Sequence, residues 1–235
     1  LDSDSSAEVA LFSRLNHQGL LQQIEKRQSQ LASIPGPQFE LWTQVQKITK
    51  RIASKESNVK GSQELRIKKK QIEKELYKKI PFLKPKIVEI VDVVAVIPKN
   101  SVLIEFQKYD PIPLDRKNLM GSWGTQPKYL ALILNSTGKV VTIDLGLAEP
   151  IETEIKKALY ATKEGLNDPW EEVQKLVIKP LSKATIGTNT LFISPDAELN
   201  LIPFAALKSP NDESLLGEDI KLRLLTTGRE LLELT

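Results

Sequence analysis

The chain of 235 residues has no cysteine and one histidine, His17. Without thiols it holds no disulfide, no thiolate nucleophile and no Cys-based zinc or iron–sulfur site. One imidazole excludes any site that needs two. Long apolar runs are also lacking. Val93-Val94-Ala95-Val96-Ile97 falls far short of the roughly 20 residues of a membrane span. Eleven Gly and fourteen Pro are too few for a collagen-like or low-complexity chain. The start, Leu1-Asp2-Ser3-Asp4, is acidic and unlike a secretory leader. Neither a G-x-S-x-G elbow, a phosphate loop, a G-x-G-x-x-G turn nor an H-E-x-x-H helix occurs.

What is present has globular proportions, 40% apolar and 27% charged, and a chain of this length can bury roughly 70% of its unfolded surface. Residues 1–97 read as helices. Val9, Phe12, Leu15, Leu21 and Ile24 recur at helical spacing, with Leu31 closing the stretch before Ile34-Pro35-Gly36-Pro37. Leu41, Val45, Ile48 and Ile52 form one helical face. A polar loop over Ser54–Ser62 leads to a third stripe, Leu65, Ile72, Leu76 and Ile80, ended by Pro81. These two helices are expected to pair as an antiparallel αα-hairpin. Ile87 to Ile97 reads as a fourth helix. Between Lys47 and Lys86 stand fourteen Lys or Arg against four Glu, a local charge of +10, which leaves −7 on the rest of a chain of +3. Such asymmetry fits a nucleic-acid or acidic-partner surface. The interleaved aromatics of nucleic-acid binders are missing, however, so a solvated helical face is the preferred reading.

After residue 98 the period changes. Ser101–Tyr109 is rich in β-formers, and a loop with Trp123 follows. Tyr129–Leu134 and Lys139–Asp144 make a hairpin around Asn135-Ser136-Thr137-Gly138, where the glycosylation-like triplet reads as turn chemistry. Ile151, Ile155 and Leu159 predict a helix entered past Pro150. Trp170, Val173, Leu176 and Val177 predict another, ended by Pro180. Thr190–Ile193 and Ile220–Leu225 read as strands, and Thr226 or Thr227 as the cap of a last helix. His17 lies in the first helix, far from these elements, and reads as structural or superficial.

Two runs carry a resemblance. Ser194-Pro195-Asp196-Ala197-Glu198-Leu199-Asn200-Leu201-Ile202-Pro203-Phe204-Ala205-Ala206-Leu207 resembles the S-P-D-G-x-L-x-x-[IV]-P-F-x-A-L of the CHAT domain. This is a caspase-like cysteine peptidase domain often found after tetratricopeptide repeats in bacteria. Ala197 stands at the family's usual Gly. Leu225-Thr226-Thr227-Gly228-Arg229-Glu230-Leu231 is similar to its T-S-G-R-D-L, with Thr227 for Ser and Glu230 for Asp. The stretches around Val102–Pro111 and Tyr129–Gly146 resemble what precedes them, and the helical hairpin looks like the linker of cyanobacterial forms. In the family a catalytic His and then a nucleophilic Cys follow on later strands. No residue of this chain matches either position.

The expectation is therefore a mixed α/β fold. Residues 1–97 form a helical linker with the basic hairpin, and residues 98–235 form the N-terminal part of a caspase-like sheet, incomplete and with an uncovered edge. The resemblance implies a non-catalytic portion of a bacterial, cytoplasmic cysteine peptidase. No catalytic, cofactor-binding or metal residue is assigned, and no membrane partner is expected. Its implied partners are proteins, a peptide substrate, and the C-terminal part of the same domain. The alternatives are a pseudo-peptidase scaffold or interaction module and, more weakly, nucleic-acid binding by the hairpin. In the motifs, Pro195 is expected to end strand pairing, Asp196 to accept turn N–H groups, Pro203 and Phe204 to plug the return, and Arg229 either to orient a ligand or to form a structural ion pair.

Overall fold

The computed structural model describes residues 3–17, 36–53, 59–80, 86–111, 126–209 and 214–234. The expected helical positions Leu21, Ile24 and Leu31, the first part of the Ser54–Ser62 loop, Pro81, and the loop around Trp123 lie outside them. The chain divides into two compact units, residues 19–87 and residues 1–18 with 88–235. The change of sequence character at residue 98 thus does not coincide with the unit boundary. The first helix and the helix before residue 97 are built into the sheet-bearing unit.

In the smaller unit, α2 (Pro37–Ala53) and α3 (Val59–Lys79) make the expected hairpin. Leu41 and Trp42, near the start of α2, pack with Leu76, Tyr77 and Ile80 at the end of α3, so the helices run antiparallel. Val45 and Ile48 are buried, as the stripe predicts. The second helix starts earlier than the polar composition implied, at Val59. The added turn, Val59-Lys60-Gly61-Ser62, includes a poor helix former in Gly61, a local preference that pairing of α3 with α2 overrides.

The larger unit is a five-stranded mixed sheet in the order β3-β2-β1-β4-β5. Its strands are β1 (Ser101–Tyr109), β2 (Lys128–Asn135), β3 (Val140–Leu147), β4 (Thr190–Ser194) and β5 (Lys221–Leu224). β1, β2 and β3 pair antiparallel, whereas β4 and β5 add in parallel to β1. The hairpin turn is held by Asn135, whose Oδ1 accepts the Thr137 and Lys139 N–H groups, both at 3.0 Å.

Alternation along each strand sorts its side chains between two cores. Val102, Ile104, Phe106, Tyr129, Ala131, Ile133, Leu191 and Ile193 face one layer. That layer contains α5 (Ala148–Lys163), α6 (Glu171–Val177) and the short α7 (Leu216–Asp219). Leu103, Leu132, Leu134 and Phe192 face the other. There α1 (Ser3–His17) contributes Ala7, Leu11 and Leu15, and α4 (Ile90–Val96) contributes Val93.

Several element ends differ from expectation. α5 begins at Ala148, so Pro150 lies inside its first turn, where an N–H has no intrahelical acceptor to lose. α6 does end at Val177, short of Pro180 as expected, but Pro180 sits near the start of a 3-10 helix over Lys179–Ala184. The segment after Thr227 is likewise a 3-10 helix, Gly228–Glu233. Its cap residue, Thr227, spends its hydroxyl elsewhere.

Candidate functional site

Both quoted motifs emerge at the C-terminal ends of the parallel strands, Ser194-Pro195-Asp196 from the last residue of β4 and Thr226-Thr227-Gly228-Arg229 after β5. Open α/β sheets place their ligands at such ends. Between them, on the α1 side of β1, lies Glu105, with no solvent exposure. A lone carboxylate there would cost several kcal/mol, and its partners account for its presence. Arg14 Nε donates to Glu105 Oε2 at 3.1 Å. Thr227 Oγ1 donates to Oε1 at 3.0 Å, and the Gly228 N–H donates to the same oxygen. The Thr227 hydroxyl is thus drawn to the buried carboxylate, and no side-chain cap bond is made to its helix.

Arg14, also buried, joins the first motif to Glu105 and through it to the second. Besides Glu105 it reaches Ser194 Oγ and the Pro195 carbonyl, each at 3.4 Å, and Asp196 Oδ2 at 3.4 Å. Ser194 Oγ donates onward to the Thr226 carbonyl at 2.8 Å, tying the motifs directly. Asp196 also accepts the Lys108 N–H at 2.9 Å. Its carboxylate therefore serves α1 and β1 rather than N–H groups of its own turn, which corrects the Asx reading. Arg229 is buried too, and its Nη1 donates to the Leu15 carbonyl at 3.1 Å, near the end of α1. It holds the helix to the loop rather than pointing outward.

Gly228 has a steric reason. A Cβ there would fall 2.3 Å from Leu103 Cδ2 and 3.1 Å from Glu105 Oε1. Only a bare backbone brings its N–H against the carboxylate. Ala197 has the opposite problem. Its φ is +47°, in the left-handed region that disfavours a Cβ, at the position where the motif it resembles has Gly.

The other face of the sheet carries a second polar group. Lys108 Nζ meets Glu152 of α5 at 2.6 Å and Glu198 at 3.7 Å. It also lies 6.0 Å from the centre of the Tyr129 ring. Tyr129 donates its hydroxyl to Glu152 at 3.0 Å, with Glu198 at 3.4 Å. The Glu152 hydrogen bond holds the Lys108 ammonium above its ordinary value, against the effect of burial. Burial, then the two carboxylates, push the Tyr129 phenol well up. For Glu198, burial raises the carboxyl. A hydrogen bond from its own backbone, Glu152, Lys108 and Tyr129 outweigh it, so the net shift is downward. The loop 194–198 is thus clamped from both faces, by Arg14 through Asp196 and by Lys108 through Glu198. Phe204, buried, closes the return by stacking on Phe106 at 6.0 Å, as the plug reading expects.

Chemically this is a framework. The Ser194 hydroxyl is buried and donates to a carbonyl, which leaves it no base. His17 stands exposed in the last turn of α1, its Nδ1 2.9 Å from the Ser13 carbonyl. Among the described residues no group of three His, Asp or Glu is arranged to hold a metal ion. No helix among them is long and apolar enough to cross a membrane. Sequence reading singled out Asp196, Thr227 and Arg229 but missed Arg14 and Glu105, which join them. Glu105 interrupts an otherwise apolar half-strand, and that was the available signal.

Residues 167–235 match the family model of the CHAT domain. No curated protein matches the chain.

Proposed function

We propose that this chain is the non-catalytic N-terminal portion of a CHAT-type, caspase-like cysteine peptidase, whose thiol and imidazole stand on further strands. The observation that carries the reading is the convergence of both family-like motifs on one buried carboxylate, Glu105, through Arg14. In this role the network holds the sheet's C-terminal rim in register, so that strands added beside β5 meet a preset surface. Catalysis in the intact domain would use the added His as base to the added Cys thiolate, with hydrolysis of the acyl-enzyme. This chain supplies neither.

A second reading, a pseudo-peptidase scaffold for protein partners, is favoured by how fully Ser194, Thr227 and Arg229 are engaged in structural bonds. One experiment separates the two. The chain alone, and the chain joined to the His- and Cys-bearing strands of a CHAT domain, are treated with a thiol-directed peptide probe and a peptide library. The peptidase reading expects nothing from the first and labelling with turnover from the second. A joined protein that folds but neither labels nor cleaves would favour the scaffold.

A further inference from the structure

Helices α1 and α4 each bury one stripe against the sheet and have apolar surface left over. In α1, Ala7, Leu11 and Leu15 point inward, yet Val9 is 64% exposed. α4 reads Ile-Val-Asp-Val-Val-Ala-Val, and while Val93 is fully buried, Val91 is 72% exposed. A helix apolar on nearly every side ordinarily has neighbours on every side. The leftover stripes line a groove of about 530 Å³, with Val9 and Phe12 on one wall and Ile90, Val91 and Val94 on the other. The Thr137–Gly138 turn borders it. Among the described residues, the two charged ones that line it, Glu8 and Glu89, are both carboxylates, and both are exposed.

Residues 19–87 hold sixteen Lys or Arg against six Glu, so the unit bearing the groove carries −7. Such a field draws cationic partners and repels acidic ones. The walls are helix surfaces, whose ridges accept the ridges of a third helix.

We propose that this groove docks a basic amphipathic helix of a partner protein. Its apolar stripe would lie on Val9 and Val91, and its flanking Lys or Arg would reach Glu8 and Glu89. The occupant needs about two to three turns of apolar face and cations on both flanks. Docking weakens with salt, since both rim pairs are exposed.

The test uses the full chain and a labelled Leu/Lys amphipathic peptide of about 18 residues, five helical turns, followed by fluorescence anisotropy. Val91→Asp should lower its affinity about tenfold or more, and Glu8→Lys with Glu89→Lys should do the same. Ile186→Asp, at a site 75% exposed elsewhere, should leave it unchanged. Circular dichroism on each variant checks that the fold survives, and a Val9→Ser, Val91→Ser pair repeats the test with smaller polarity changes. Binding equal in all variants, or no binding at low salt, overturns the proposal. So does self-association that Val91→Asp abolishes, which would put a second copy in the groove.

Discussion

Replacing Glu105 by Gln removes a charge and almost no volume, so its effect isolates the network. In the native chain the carboxylate accepts from Arg14 Nε, Thr227 Oγ1 and the Gly228 N–H. A carboxamide has one acceptor oxygen for these donors. It must also turn an NH2 group toward Arg14 or Gly228, which sets donor against donor. Among the described residues the buried Arg14 guanidinium then keeps only Asp196 as counter-charge, at 3.4 Å. Removing one partner of a buried pair costs about 3–5 kcal/mol, a large part of the 5–15 kcal/mol typical of a folded protein. Arg14→Met strands the carboxylate instead and should cost about 3 kcal/mol. Because both single changes break one interaction, the double variant should cost less than their sum, with coupling of about 2 kcal/mol or more. Urea unfolding reads this as shifts in the midpoint at constant slope. Glu154→Gln, which breaks the surface pair with Lys157, should change stability by less than about 0.5 kcal/mol. A Glu105→Gln loss below about 1 kcal/mol, or strict additivity, would refute the network.

Three further outcomes follow from particular residues. Ala197→Gly should stabilise the chain by up to about 1 kcal/mol, the relief of left-handed strain exceeding the entropy of the added glycine; thermal unfolding checks it, and a loss of stability would contradict the conformation at 197. Ile48→Asp should cost several kcal/mol in the hairpin, whereas Lys69→Asp, which exchanges a half-buried pair with Glu73 for a repulsion, should cost less than about 1 kcal/mol; equal shifts in melting temperature would mean that the facing is wrong. The folded Tyr129 phenol titrates above its unfolded value, so its contribution is complete below about pH 10 and is lost as pH rises beyond that. Tyr129→Phe should therefore flatten the alkaline loss of stability, and an unchanged slope would place that loss elsewhere.

Much of the fold was legible because burial is periodic. Ser101–Tyr109 read as a strand from its β-formers, and Leu41, Val45 and Ile48 read as a helix face. Local turn chemistry served equally well at Asn135–Gly138. What stayed hidden depends on distant partners. Arg14 looks like an ordinary surface charge in α1, and nothing nearby in sequence shows that it meets a carboxylate 91 positions away. Thr227 read as a helix cap because a cap is the local use of a threonine hydroxyl, and a buried acceptor outcompeted it. The placement of α1 on the sheet was hidden for the same reason: the segment between them resembles a continuing helical linker, and the contact is made only in three dimensions. Ala197 departs from the motif's Gly, but its positive φ is set by the backbone course of the loop.

In the proposed peptidase, β5 is the edge on which the sheet continues. Among the described residues β5 pairs with β4 alone, and Leu224 is 61% exposed. Amide hydrogen exchange should be followed at Lys221–Leu224 and, as the control edge, at Val140–Leu147. The chain alone is compared with the chain joined to the His- and Cys-bearing strands. Exchange over β5 should be slower in the joined protein and unchanged over β3. Equal exchange at β5 in both proteins, or protection appearing at β3 instead, would contradict it.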